Sequence, residues 1–330
     1  MPDEVEGFEL ASDQSIRRLR LPGAEGDFEI KNAGLKIFVQ DRRKIGGTWF
    51  ELRLQLPPGE SSTSRSIAFQ LDTTPAKIEA SREDASLEVY PNIVTQKDIP
   101  FLGEDRAEKM DLYLPQTPNA NRRFPAVLVI HGGGWATGDK ADRREIQICQ
   151  TLAKAGFAAA SINYLLYLKT PTWPTNIHDV KTGIRYLRAN AAKLGIDPEN
   201  IGTIGGSAGG HLAMLMGWSG DDARLDPPLF PGVSTKVKAV VDLYGVPDLR
   251  QPLSKGTRGC GEPWIGKKVA EAPEMFELLS PVSRVEKSGA PVFILHGTKD
   301  TTVPISYSET LVKILKEKDA VFQYKVVEDA

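Results

Sequence analysis

Several things are scarce in this 330-residue chain. Cysteine occurs twice, at Cys149 and Cys260. That excludes a disulfide framework and is too few for a thiolate metal site, so both read as free thiols. Histidine occurs four times, at His131, His178, His211 and His296. No apolar run approaches the roughly 20 residues of a membrane-spanning helix. Neither sign of charge is in excess: 41 basic side chains face 43 acidic ones, a net charge of −2. That removes the electrostatic basis for a nucleic-acid or membrane-surface partner. The start, Met1-Pro2-Asp3-Glu4-Val5-Glu6, is acidic and polar and has no secretory signal pattern. The cytoplasm is therefore the expected compartment, with a secreted or periplasmic one open if the N-terminus was processed or replaced.

What is there is ordinary for a globular protein: 41% hydrophobic and 25% charged residues. The length suits one large domain or two ordinary ones. Residues 1–27 are rich in Glu, Asp, Gly and Ser without periodicity and read as a flexible lead-in. Residues 28–90 read as a small β-rich accessory region. Leu35–Val39 is strand-like, Thr48–Leu56 alternates cleanly, Gly46-Gly47 suggests a hairpin turn between them, and Ser66–Leu71 follows a Gly/Ser loop at 59–64. From 91 to 330 strands alternate with helices. The patterns predict strands at 93–98, 110–114, 126–130, 157–162, 200–204, 237–243, 291–295 and 321–327. They predict helices at 140–155, 175–194, 211–216 and 305–318, with an irregular stretch over 248–288 that caps the site. This order is that of an α/β fold with a mostly parallel central sheet and helices on both faces.

Within that order Gly205-Gly206-Ser207-Ala208-Gly209 carries the chemistry. It fits the G-x-S-x-G nucleophile elbow and lies between a buried strand and a helix, as the elbow must. The tight turn exposes the Ser207 hydroxyl, and the helix N-terminus points N–H groups at the reaction centre. A second glycine cluster, His131-Gly132-Gly133-Gly134-Trp135, directly follows the apolar 126–130 strand. The N–H groups of Gly133 and Gly134, with that of Ala208, are the expected oxyanion hole, where losing one donor typically costs about 3 kcal/mol of transition-state stabilisation. Asp300, in the loop after the 291–295 strand, is the expected acid in the order Ser…Asp…His, with Asp242 in reserve. Trp135 is the expected substrate-binding side chain, and Trp173 and Trp264 lie in loops able to wall the pocket or simply to pack.

The base is missing from this pattern. In the order Ser…Asp…His it follows Asp300, and no histidine does. His131 is expected to brace the glycine loop. His211, one helical turn past Ser207, points its ring away from the hydroxyl. His296 and His178 likewise read as structural. A catalytic histidine is expected on the loop just beyond the last strand, past Ala330.

His131-Gly132-Gly133-Gly134-Trp135 with Gly138-Asp139-Lys140 resembles the oxyanion loop of α/β-hydrolase carboxylesterases, chiefly the hormone-sensitive-lipase-like esterases and the bacterial acetylxylan/feruloyl esterase group. Gly205–His211 matches that group's elbow, as do Asp179, Leu187-Arg188-Ala189-Asn190-Ala191 and Gly195-Ile196-Asp197-Pro198. The resemblance covers residues 95–330 and implies a serine esterase with no cofactor and no metal, acting on short acyl esters of small molecules or carbohydrates. It departs from the group in lacking the C-terminal histidine. Two rivals remain. One is an amide hydrolase of the kynurenine-formamidase type, which shares the HGGGW-type loop. The other is a non-catalytic hydrolase fold used for binding through its β-rich N-terminus.

Overall fold

A computed structural model describes residues 92–117, 121–252 and 259–330 in full and, before them, the backbone of six strands. The chain divides into two compact units, Met1–Asp84 and Ala85–Ala330. In the first, β1 (Gly7–Leu10), β2 (Ile16–Arg20) and β3 (Phe28–Glu29) form one antiparallel sheet. A second holds β4 (Lys36–Asp41), β5 (Trp49–Gln55) and β6 (Arg65–Gln70), with Val39 opposite Leu52 and Phe50 opposite Phe69. Strands β4 to β6 match the three read from alternation. β1 and β2 fall inside the stretch expected as a lead-in. The Gly46-Gly47 turn and the 59–64 loop lie outside the described residues.

The second unit is built on one eight-stranded sheet. Its strands are β7 (Ile93–Ile99), β8 (Met110–Pro115), β9 (Phe124–Ile130), β10 (Ala158–Ile162), β11 (Ile196–Gly206), β12 (Val240–Leu243), β13 (Val292–Gly297) and β14 (Phe322–Val327). Their spatial order is β14-β13-β12-β11-β9-β10-β8-β7. From β14 to β10 neighbours run parallel, and β8 pairs antiparallel with both β10 and β7. Side chains alternate between the faces. Ala126, Leu128 and Ile130 join the main core, whereas Val129 joins Ala159 and Tyr113 on the other side. Helix α1 (Arg143–Lys154) sends Cys149 and Ala153 into the latter cluster. Helices α2 (Thr175–Ala189), α4 (Ala208–Ser219) and α7 (Ser306–Glu317) pack into the main core. The sheet is thus covered from both sides, which is why β9 is apolar without a break and β10 is buried along its whole length, its one polar side chain, Ser161, donating to the Lys140 carbonyl.

The helix expected over 175–194 is two helices. It breaks at Asn190, whose Nδ2 donates to the Tyr186 carbonyl (2.9 Å) and competes with the helical ladder. A short α3 (Ala191–Leu194) follows and ends on Gly195. The 248–288 stretch holds α5 (Glu262–Ile265) and α6 (Pro273–Leu279); residues 253–258 lie outside the described residues. One face of α2 straps down the segment after α4. Lys181 Nζ reaches the Gly220 carbonyl and Thr235 Oγ1 (2.9 Å). Arg185 Nη1 donates to the Pro227 carbonyl (2.8 Å), and Arg188 donates to the carbonyls of Ser234 and Lys236.

Helix α4 is apolar on every side and buried along almost its whole length. It approaches β9 so closely that a Cβ on Gly209 would stand 2.1 Å from the Ile130 carbonyl oxygen. Backbone on both sides leaves nothing to yield. Gly209→Ala is expected to lower unfolding free energy by about 1–3 kcal/mol or more, read from the urea midpoint. An unchanged midpoint would mean the helix sits farther from β9 than described.

Candidate active site

The parallel register brings the carboxyl ends of β9, β11, β12 and β13 to one edge of the sheet, where Ile130 pairs Gly205, Gly206 pairs Leu243, and Leu243 pairs Leu295. Each strand hands its chain into a candidate functional loop. β11 ends at Gly206, and Ser207 follows at φ 56°, ψ −120° before α4 begins at Ala208. A non-glycine residue there is strained by about 1–3 kcal/mol and persists only where its surroundings over-determine it. Here the Ser207 N–H donates to the Leu243 carbonyl (2.9 Å) and its own carbonyl accepts from His211 N (3.0 Å). The residue is half-buried.

The glycine loop after β9 lies directly against the elbow: a Cβ on Gly132 would stand 3.5 Å from Ser207 Cβ. Gly133 turns the loop at φ 101°, its carbonyl accepting from the N–H groups of Ala136 (3.1 Å) and Thr137 (3.0 Å). A Cβ there would fall 2.2 Å from the Thr137 carbonyl oxygen, so the position admits only glycine. The N–H groups of Gly133, Gly134 and Ala208 are not taken up by any turn or cap of the described residues. The structure therefore brings the three expected oxyanion donors to the same edge as Ser207.

Asp300 follows β13. Its Oδ1 accepts from the N–H groups of Thr302 (2.8 Å) and Val303 (2.9 Å), which fixes the carboxylate. Oδ2 lies 3.7 Å from His296 Nε2, too long for a hydrogen bond, and accepts none from the described residues. One oxygen is thus held and the other is left for a further donor. The strand β14 ends beside this loop: Lys299 N donates to the Ala330 carbonyl (2.7 Å), and Lys299 Nζ pairs with Asp329 (2.7 Å).

None of the four histidines reaches Ser207 by a hydrogen bond. His131 is buried, donates from Nδ1 to the Gly132 carbonyl (2.8 Å) and stacks on Tyr164 at 4.5 Å. His296 is buried, with Nε2 donating to the Val303 carbonyl (2.8 Å) and Nδ1 partnered by Ser308 Oγ (2.7 Å). His178 is half-buried on α2. His211 is enclosed: its Nδ1 accepts from Trp135 Nε1 (3.2 Å) and its Nε2 donates to the Leu279 carbonyl (2.9 Å). That chain ties the glycine loop to α4 and to the end of α6. It also shows where the indole of Trp135 sits. The indole is 2% exposed, packed near Trp264 at 5.7 Å, and braces the loop from within rather than walling an open pocket. Trp264 is likewise interior, at 1% exposure.

Asp242, the reserve acid, is fully buried at the end of β12, Oδ1 accepting from Gly245 N (2.9 Å) under α4. It braces the turn after β12. That turn presents Tyr244, at φ 45°, whose hydroxyl accepts from Arg144 Nη1 (2.8 Å). Arg144 and Tyr244 flank the elbow: a Cβ on Gly206 would meet Arg144 Nη1 and Tyr244 Oη, each at 3.1 Å. Neither was expected from motif spacing. The available signal was a cation in the first turn of α1, where the helix dipole disfavours it.

Three comparisons bear on this site. The profile of the BD-FAE family matches residues 110–315. Among curated proteins, Esterase LipQ of Mycobacterium tuberculosis (strain ATCC 25618 / H37Rv) is 33% identical over 230 residues, 68% of this chain and 53% of LipQ. The chain spans about half the length of the curated relatives it matches. Among solved structures, a truncated carbohydrate esterase from gut microbiota superposes with a TM-score of 0.64 at 29% identity, covering 73% of this chain and 89% of that one. The acetyl ester-xyloside bifunctional hydrolase of Caldicellulosiruptor lactoaceticus gives 0.58 at 27% identity, covering 68% and 79%. The fold is that of the α/β-hydrolase esterases. Among the described residues no group of three or more His, Cys, Asp or Glu is placed to hold a metal ion, and no helix is long and apolar enough to cross a membrane.

Two buried groups around α4 give opposite pH dependence. Burial pushes His211 down from 6.5 to about 4 and Asp242 up from 3.8 to about 7. The lowered His211 contributes stability present above 6.5 and lost as pH falls through about 4, amounting to about 3 kcal/mol. The raised Asp242 contributes stability present below 3.8 and lost as pH rises through about 7. His211→Gln is expected to remove the acid loss, and Asp242→Asn the loss at higher pH, in urea unfolding at pH 8 and pH 4.5. A wild-type pH profile in His211→Gln would show that the ring is not held neutral.

Proposed function

Since the chain belongs to the BD-FAE family of α/β-hydrolase carboxylesterases, we propose that it hydrolyses short-chain acyl esters through an acyl-enzyme on Ser207. The observation that carries this reading is the Ser207 backbone at φ 56°, set at a strand-to-helix turn against the glycine loop. Ser207 Oγ attacks the ester carbonyl, and the oxyanion rests on the N–H groups of Gly133, Gly134 and Ala208. Asp300, with Oδ1 held by two backbone donors, offers Oδ2 to a base imidazole, orienting it and stabilising its charged form. The proton of Ser207 passes to that base and then to the leaving alcohol, and water releases the acyl group. The role of base is assigned to none of the four histidines, because each is engaged elsewhere or lies away from Ser207. The carbohydrate esterase and the acetyl ester-xyloside hydrolase among the neighbours support acetylated carbohydrates as substrates.

The test is p-nitrophenyl acetate hydrolysis by residues 1–330, with and without added imidazole, beside Ser207→Ala. Imidazole is expected to raise a slow Ser207-dependent rate by about tenfold or more, since loss of the catalytic histidine typically costs about 10⁶-fold in kcat. Ser207→Ala is expected to abolish the increment over the rate of imidazole without protein. An increment over that protein-free rate that survives in Ser207→Ala would overturn the reading.

A further inference from the structure

We propose that the guanidinium of Arg144 forms a subsite for a carboxylate, so that the esters this site prefers carry an anionic group. The inference rests on the esterase reading only for where the scissile carbonyl sits. Arg144 stands between the two arms of the site. A Cβ on Gly132, in the glycine loop, would lie 3.3 Å from Arg144 Nη2 and 3.5 Å from Ser207 Cβ. A Cβ on Gly206, the residue before the serine, would lie 3.1 Å from Arg144 Nη1. The guanidinium and the serine thus flank the same backbone, and a cleft of about 320 Å³ opens there, with the glycine loop on one wall and Arg144 on the other.

The donor arithmetic leaves capacity. Arg144 Nε (2.9 Å) and Nη2 (2.5 Å) both donate to a single oxygen, Glu145 Oε1, and Nη1 donates to Tyr244 Oη (2.8 Å). Of the five N–H donors of a guanidinium, two remain, one on each terminal nitrogen, matched to a carboxylate. The side chain is 40% exposed while its partner Glu145 is buried at 2%, and Arg144 lines the cleft. Tyr244 adds a second donor, because its oxygen accepts from Arg144 and its proton is left to give. Two carboxylates line the same cleft. Glu145 spends its charge on the inner edge of the guanidinium, and Asp142 Oδ2 accepts from Asp139 N (3.0 Å). Helix stability does not account for the arginine, since a cation in the first turn opposes the dipole.

Binding of monomethyl succinate and of dimethyl succinate, by calorimetry on the Ser207→Ala chain at low ionic strength, tests the subsite without requiring turnover. The acid ester is expected to bind about tenfold or more tightly than the neutral one, with a preference that shrinks as salt is added. Adding Arg144→Gln is expected to erase that ratio. Glu145→Gln, which frees the inner edge of the guanidinium, is expected to widen it, an effect that a purely structural clamp would not produce. Equal affinities for the two esters, or a preference that survives Arg144→Gln, would overturn the proposal. A preference that holds while imidazole raises no Ser207-dependent rate in the unsubstituted chain would leave the subsite standing and sink the esterase reading instead.

Discussion

Everything at this site hangs on one backbone conformation. Ser207 sits at φ 56°, in a region a side chain ordinarily avoids, and the structure spends a good deal of its packing on keeping it there. Leu243 on β12 accepts its N–H, and α4 begins at the next residue. Gly209 lets that helix press against the end of β9. If α4 stood even one atom farther off, the turn would relax, the hydroxyl would drop from the edge of the sheet, and the Ala208 N–H would no longer point at the cleft. The strain is thus a property of the sheet and helix together and not of the pentapeptide alone.

Helix α4 also gathers the groups that brace the loops around it. His211 on its first turn holds Trp135 in the glycine loop and the carbonyl of Leu279 at the end of α6. Beneath it, Asp242 holds the turn that carries Tyr244. Both are enclosed, and burial drives both toward the neutral form, one as an imidazole and the other as a carboxylic acid. Three loops of the site are therefore positioned by buried hydrogen bonds reached from one helix and the strand under it. Only the acid loop, with His296 and Val303, is braced from elsewhere.

The elements that build the sheet were legible because their signals are local. Ala126–Ile130 is apolar without a break, and Gly205–Gly209 combines a strand end, a turn and a helix start within five residues. The place of Asp300 in the loop after a strand was legible in the same way. What could not be read depends on contacts between distant segments. Trp135 looked like a pocket wall, because nothing near it in the chain says that His211, on another element, takes its indole N–H. Arg144 and Tyr244 meet from α1 and the end of β12, a hundred residues apart. The break at Asn190 needed the choice of its side chain between solvent and the Tyr186 carbonyl. Periodicity finds elements and motif spacing finds loops, but neither says which side chains cross from one loop to the next.

The strap that α2 lays over the segment after α4 has a different kind of consequence. Lys181, Arg185 and Arg188 grip that segment chiefly through main-chain oxygens, those of Gly220, Pro227, Ser234 and Lys236, and through two side chains, Thr235 and Asp226. A carbonyl is the same whatever residue bears it. The constraint therefore falls on three cations of one helix and on the path of the strapped segment, while the identity of most residues along it is left unconstrained. Selection can rewrite that surface freely without loosening it, which makes it the part of the molecule best suited to diverge in sequence while the site beneath stays unchanged.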